Sequence, residues 1–211
     1  MPARSAYSRG VRLAALIPVK AFDAAKGRLS PAVDVDQRAR LARWMATGVV
    51  AAFGPDDVFV ACDSAVVAEW ASELGVAVIW GPGLGLNGAI DDGVAAIADA
   101  GYDQVTIAHA DLPRPSGLRR VARPGTATLV PDRRRDGTNV MSFPLSDTIP
   151  AAYGASSFDR HLATALALGI PIEVRADRDL ALDIDPPHDL HHPLIREALP
   201  AWLRTNPDNQ Q

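Results

Sequence analysis

A single cysteine in 211 residues leaves Cys62 without an internal disulfide partner. A chain that uses thiol so sparingly fits a reducing, cytoplasmic setting. Cys62 closes the apolar run Val58 to Ala61, so it reads as a small buried hydrophobe rather than a reactive thiol. Long apolar runs are missing too: none approaches the ~20 residues that a membrane span requires. The first ten residues carry two arginines with no apolar core behind them, so no signal peptide is read there. Basic excess is absent. The formal net charge is -4, whereas a nucleic-acid-binding domain usually shows a positive balance. No internal repeat, low-complexity tract or linker interrupts the chain. What is present is ordinary for a soluble globular protein, 48% apolar and 22% charged, with length enough for one α/β domain and a full core.

Short β-branched runs alternate with helical patterns, the signature of a mainly parallel sheet covered on both faces. Strands are expected at Leu13 to Val19, Val58 to Cys62, Val76 to Trp80, Gln104 to Ala110, Ala127 to Val130, Thr138 to Phe143, Ile172 to Arg175 and Leu180 to Asp185. Leu41, Met45, Val49 and Phe53 recur at i+4 spacing, which predicts a helix over Asp36 to Phe53, stopped by Gly54-Pro55. A second helix is capped by Ser64, places Val66, Trp70 and Leu74 on one face, and ends at Gly75. Two more run from Asn87 to Ala100 and from Ser157 to Leu168. The organisation read from this is a flexible start over 1–12, one domain over 13–205 and a tail over 206–211.

Chemistry concentrates in a few places. Lys20, Lys26 and Arg28 fall within nine residues after the first strand, where open α/β sheets bind ligands and cations suit a polyphosphate. An ordinary solvated loop would also carry such residues. Gly83, Gly85 and Gly88 match the G-x-G-x-x-G dinucleotide fingerprint, with Asp111 about 20 residues on as that fingerprint asks. The match follows the third strand rather than the first, and Asn87 could simply cap the next helix. Asp111 ends a strand and reads as a turn carboxylate or a metal ligand. In Leu182-Asp183-Ile184-Asp185 the carboxylates share one face and the aliphatics the other. Asp185, ahead of two prolines, reads as a helix cap. Asp183 has no such role, and a buried unpaired carboxylate is costly, so it should meet a cation. Asp111 and Asp183 together offer the hard oxygens that magnesium prefers, with Asp185 as a third candidate ligand. Asp136-Gly137-Thr138-Asn139 reads as a turn or a polar pocket edge. Ser156 with Asp159 fits a capping box, at a helix start that could equally receive an anion. Arg133, Arg134 and Arg135 are compatible with a small anionic ligand. His109 reads as a core histidine, and His188 with His192 as no metal site.

Several segments, taken in order, resemble one family. These are Pro18-Val19-Lys20 with Ala25-Lys26-Gly27-Arg28-Leu29, Leu86-Asn87, Ala110-Asp111-Leu112-Pro113, Asp132-Arg133 with Asp136-Gly137-Thr138-Asn139, Gly154, Ser157 and Arg160-His161, and Leu182-Asp183-Ile184-Asp185. Over roughly Leu13 to Leu190 the chain looks like the phospholactate/phosphoenolpyruvate guanylyltransferases that supply the deazaflavin coenzyme F-420 pathway. The resemblance implies an α/β class, single-domain nucleotidyltransferase, a glycosyltransferase-A-like, Rossmann-like three-layer sandwich with a mainly parallel mixed sheet. It implies GTP, magnesium, a three-carbon phosphorylated acid as acceptor (phosphoenolpyruvate, 2-phospho-L-lactate or 3-phosphoglycerate), and a downstream transferase that takes the product. A homodimer stays open. By the same resemblance Asp111 and Asp183 look like the metal pair, and Thr138, Gly154 and Ser157 like contacts to the acid. Pro18, Lys20, Lys26 and Arg28 resemble the loop facing the GTP phosphates, and Asn87 the residue beside the nucleoside. His109 and Arg114-Pro115 depart from the family pattern. An NAD(P)-dependent oxidoreductase and a non-catalytic nucleotide-binding domain are the competing readings.

Overall fold

A computed structural model describes residues 10–54 and 56–204. The tail at 206–211, Pro55 and most of the expected flexible start lie outside them. Arg12, the last residue of that start, is held: its N–H donates to the Asp103 carboxylate at 2.8 Å and its guanidinium to the carbonyls of Ala100 and Gly101. Among the described residues seven strands form one sheet: β1 (Leu13–Pro18), β2 (Val58–Cys62), β3 (Ala77–Trp80), β4 (Gln104–Ala108), β5 (Ala127–Pro131), β6 (Thr138–Pro144) and β7 (Ile172–Val174). Their order is β3-β2-β1-β4-β6-β5-β7. Only β6 runs antiparallel to its neighbours, β4 and β5. Among the described residues the α-helices are α1 (Val35–Phe53), α2 (Ala65–Glu73), α3 (Gly85–Asp99), α4 (Ser157–Leu168), α5 (Pro193–Ala198) and α6 (Ala201–Arg204).

Alternation along β1 explains the three layers. Ala15 and Ile17 pack into a core with α1 and α2, while Ala14 and Leu16 pack into a second core with α3 and α4. A third cluster joins Leu29, from the cation-bearing loop, to Leu41 and Met45 of α1 and to Leu182, Ile184 and Leu190 near the chain's end. It fastens two sequence-distant loops to the same helix.

Four local expectations change. No strand forms over Leu180 to Asp185. The Asp177 carboxylate takes the N–H groups of Asp179 and Leu180 at 3.1 and 3.0 Å, turning the chain, and Pro186-Pro187 then offers no donors for a ladder. The alternation survives the loss: Leu182 and Ile184 are buried and both aspartates are only half-buried. On α2 the inward face is Val67, Trp70 and Ala71, with Val66 exposed, because Trp70 packs edge-on against Phe22 at 5.3 Å and donates to Thr47 Oγ1 at 3.2 Å. Ser64 precedes α2 without a side-chain cap, and β4 stops at Ala108, short of Ala110.

Leu29 is fully buried. Leu29→Ala should lower the unfolding free energy by about 2–5 kcal/mol, seen as a reduced urea midpoint at unchanged m-value. A midpoint within error of the parent would show that the third cluster does not hold the loop.

Candidate functional site

Strands β1 and β4 are neighbours whose following chain departs to opposite sides, β2 lying beyond β1 and β6 beyond β4. That divergence is the switch point at which open sheets take ligands. From β1 the chain enters two short 3-10 turns, Phe22–Ala24 and Gly27–Leu29. From β4 it runs through His109 to Asp111. A cavity of about 490 Å³ lies between, lined by Pro18, Lys20, Lys26, Arg28, Asp111 and Asp185 among others. A second, of about 390 Å³, continues past Lys20 to Asp63, Gly81 and Gly85. Both are large enough for a bound small molecule.

Charge inside this cleft is tightly apportioned. Lys26 adopts a left-handed backbone (φ 57°), and its ammonium meets Asp111 Oδ2 at 2.7 Å and the carbonyl of Ile184. Burial alone would raise the Asp111 carboxyl, but Lys26 and His109 outweigh it and hold the group below its usual range. The other oxygen, Asp111 Oδ1, is buried without a hydrogen-bond partner. Asp183 behaves oppositely: burial first, then the negative charge of Asp111, push it up to about 6, with Lys26 opposing only in part. Two carboxylates thus compete for one ammonium. An orphaned carboxylate oxygen beside a second, electrostatically frustrated carboxylate fits a hard divalent cation.

The remaining candidates divide. Asp185 does not cap a helix; the 3-10 turn at Pro187–His191 has no side-chain cap, and Asp185 pairs with Arg28 at 2.6 Å. Both partners are solvent-exposed enough for the pair to add little stability. Among the described residues, no three Asp, Glu, His or Cys side chains gather into a metal cluster, so Asp185 does not complete a ready-made triad. Lys20 is exposed at the junction of the two cavities. Asn87 does not cap α3, which begins at Gly85 with Leu84 as its cap position. Its amide instead brackets Tyr153, accepting its N–H at 2.8 Å and donating to its carbonyl at 3.3 Å. Arg133 and Arg134 both turn to the buried Asp189, Arg134 at 3.3 Å, rather than to an open anion site.

Thr138, Gly154 and Ser157 do come together. The Thr138 N–H donates to Ser157 Oγ at 3.1 Å, and Ser157 N–H to the Gly154 carbonyl at 3.1 Å. Gly154 has φ 121°, which disfavours any side chain there. The capping box does not form: Ser156 is left-handed (φ 54°) and its N–H goes to Asp136 at 3.0 Å. Neither this group nor Asp183 lines the main cavity. A chain of ring contacts connects the two regions, His109 tilted against Tyr153 at 4.9 Å and Tyr153 edge-on to His161 at 4.7 Å between centroids. His161 and Tyr153 had no functional reading from sequence. The available signal was spacing, since Ser157 and His161 lie four apart on the inward face of α4.

Cations facing carboxylates at the switch point of a glycosyltransferase-A-like α/β sheet suit a nucleotidyltransferase. Residues 13–197 match the family described as "Guanylyl transferase CofC like", and the chain belongs to that family. A phosphoenolpyruvate guanylyltransferase of Rubrobacter xylanophilus is 34% identical over 185 residues, covering 83% of this chain and 90% of that protein. A 2-phospho-L-lactate guanylyltransferase of Methanothermobacter thermautotrophicus is 29% identical, covering 85% and 83%. A crystal structure from Desulfovibrio desulfuricans, assigned to the nucleotide-diphospho-sugar transferases, superposes with TM-score 0.71 at 19% identity over 94% of this chain and 93% of that one. The oxidoreductase reading falls with these relatives. Gly83, Gly85 and Gly88 follow the edge strand β3, and the sheet's first strand carries the cationic loop instead.

Burial, Arg160 and His109 bring the His161 pKa down from 6.5 to about 4. The unfolded chain therefore takes up this proton at higher pH than the folded one, so the stability His161 contributes is full above about 6.5 and lost as pH falls towards 4. Urea midpoints at pH 7 and pH 4.5 should fall more for the parent than for His161→Asn. Equal slopes would show that the ring is not buried neutral.

Proposed function

We propose that this chain transfers GMP from GTP to the phosphate of a small phosphorylated carboxylic acid, phosphoenolpyruvate or 2-phospho-L-lactate, releasing pyrophosphate. The observation that supports it most is the pairing of Asp111 and Asp183 against Lys26 at the switch point. The names of the curated relatives supply the two acceptors. In this reading Asp111 and Asp183 would hold magnesium, which would supply positive charge to offset the approach of two anions. Lys20, Lys26 and Arg28 bind the triphosphate and stabilise charge growing on pyrophosphate. The cleft past Lys20 receives the nucleoside, and Asn87 holds the Tyr153 segment beside it. Thr138, Gly154 and Ser157 bind the acid. A phosphate monoester is mostly doubly ionised at neutral pH, its second pKa being about 6, so its oxygen attacks the α-phosphorus without a strong base. Burial lowers the His109 pKa, with Asp111 opposing and Lys26 assisting, which makes the ring a weak base. A cytoplasmic enzyme serving coenzyme F-420 synthesis and feeding a downstream transferase completes the reading. No described helix is long and apolar enough to cross a membrane.

The decisive experiment measures pyrophosphate release with GTP, magnesium and each acid in turn, 3-phosphoglycerate included, with mass analysis of the product. GTP binding without pyrophosphate release for any acid would instead indicate a non-catalytic nucleotide-binding domain. Asp183→Asn should cost ~3–4 kcal/mol in the barrier, a hundredfold or more in rate, at unchanged or raised Tm because a frustrated charge is removed. Full activity in that variant would take Asp183 out of the chemistry.

A further inference from the structure

His161 is fully buried, yet both ring nitrogens are occupied. Nε2 accepts the backbone N–H of Ala152 at 3.0 Å, and Nδ1 lies 3.0 Å from Thr138 Oγ1. A backbone amide can only donate, so Nε2 carries no proton. A neutral imidazole must then carry its proton on Nδ1, and Nδ1–H donates to the Thr138 hydroxyl. Burial and the neighbouring Arg160 keep the ring in that neutral form. With a lone pair already engaged, the Thr138 hydroxyl turns its own proton elsewhere. Ser157 is in the same position, because its Oγ already accepts the Thr138 N–H. Among the described residues no acceptor takes either hydroxyl proton. Thr138 and Ser157 are 1% and 2% exposed, and a buried donor without an acceptor is a free-energy deficit that an arriving oxygen can make good.

We propose that His161 is a positioning residue which, as its Nδ1–H tautomer, aims the Thr138 hydroxyl so that Thr138 and Ser157 form a two-donor cradle for an anionic oxygen of the acceptor acid. The inference rests on the reading of Thr138, Gly154 and Ser157 as the acid's contacts. The cradle adjoins the reaction centre through backbone as well as rings: the His109 N–H donates to the carbonyl of Asn139, next to Thr138, and His109 Nδ1 is 4.0 Å from Asp111 Oδ1. With both hydroxyl protons available, the cradle favours a charged carboxylate or phosphate oxygen over a neutral acceptor.

Three His161 variants separate the ring's two contacts. His161→Gln keeps an acceptor near the Nε2 position but loses the donor to Thr138; His161→Asn keeps a donor near Nδ1; His161→Phe keeps neither. Titration calorimetry of phosphoenolpyruvate should show binding weakened by about tenfold or more in the Gln and Phe variants, the loss of a hydrogen bond to a charged group. Binding should be near the parent value in His161→Asn, with GTP affinity within about twofold throughout. Nitrogen NMR of the unliganded parent should show His161 protonated at Nδ1 and bare at Nε2, independently of any variant's folding. A ring protonated at Nε2, unchanged phosphoenolpyruvate binding in His161→Gln, equal losses for GTP and the acid, or no phosphoenolpyruvate binding by the parent would each overturn the proposal. If the binding pattern holds while no acid yields pyrophosphate, the transferase reading fails and the cradle stands.

Discussion

In the cleft of this protein Lys26 pairs with Asp111, while Asp183, outside the cavity lining, still feels the charge of both. Lys26 satisfies one oxygen of Asp111, leaves the other bare, and cannot also neutralise Asp183. Confronting like charges in a partly dry crevice is costly unless a further cation enters. The protein holds that cost in its folded state, and the fold keeps it from relaxing. Lys26 sits in a left-handed turn anchored by Leu29, while Asp183 lies between the buried Leu182 and Ile184. One apolar cluster on α1 grips all three anchors, so the opposing charges cannot drift apart without opening the core.

The sheet supplies the rest of the geometry. Adjacency of β1 and β4 brings Lys26 and Asp111 together across 85 residues, and the antiparallel β6 delivers Thr138 at the same edge. In the proposed reading a polyphosphate and an acid acceptor would have adjoining places. The contrast between them is chemical. On one side exposed cations, Lys20 and Arg28, suit a strongly charged ligand; on the other, buried neutral hydroxyls beside His161 suit, in the proposed reading, a small one.

Much of this was legible beforehand where the signal is local. Alternation in Leu182-Asp183-Ile184-Asp185 placed the acids and aliphatics on opposite faces even though no ladder forms, because extended backbone alternates whether or not it is paired. The i+4 spacing of Leu41, Met45 and Val49 marked the buried stripe of α1. Capping was read less well. Asp185, Ser156 and Asn87 each have side chains that commonly cap helices, but Arg28, Asp136 and the Tyr153 backbone lie near and claim or replace those bonds. Val66 failed for a related reason: α2 turns by one residue to seat Trp70 against Phe22.

By itself the sequence determined the order and kind of most elements, most of their apolar faces, and the residue types able to manage phosphate and metal, since these follow from spacing and side-chain chemistry along a few residues. Tertiary structure alone decided which charges confront each other, which hydroxyls are left with a proton to give, and which nitrogen of His161 holds one. Those depend on distances between segments far apart in the chain, and electrostatic and hydrogen-bond energies change steeply over the last ångström of approach.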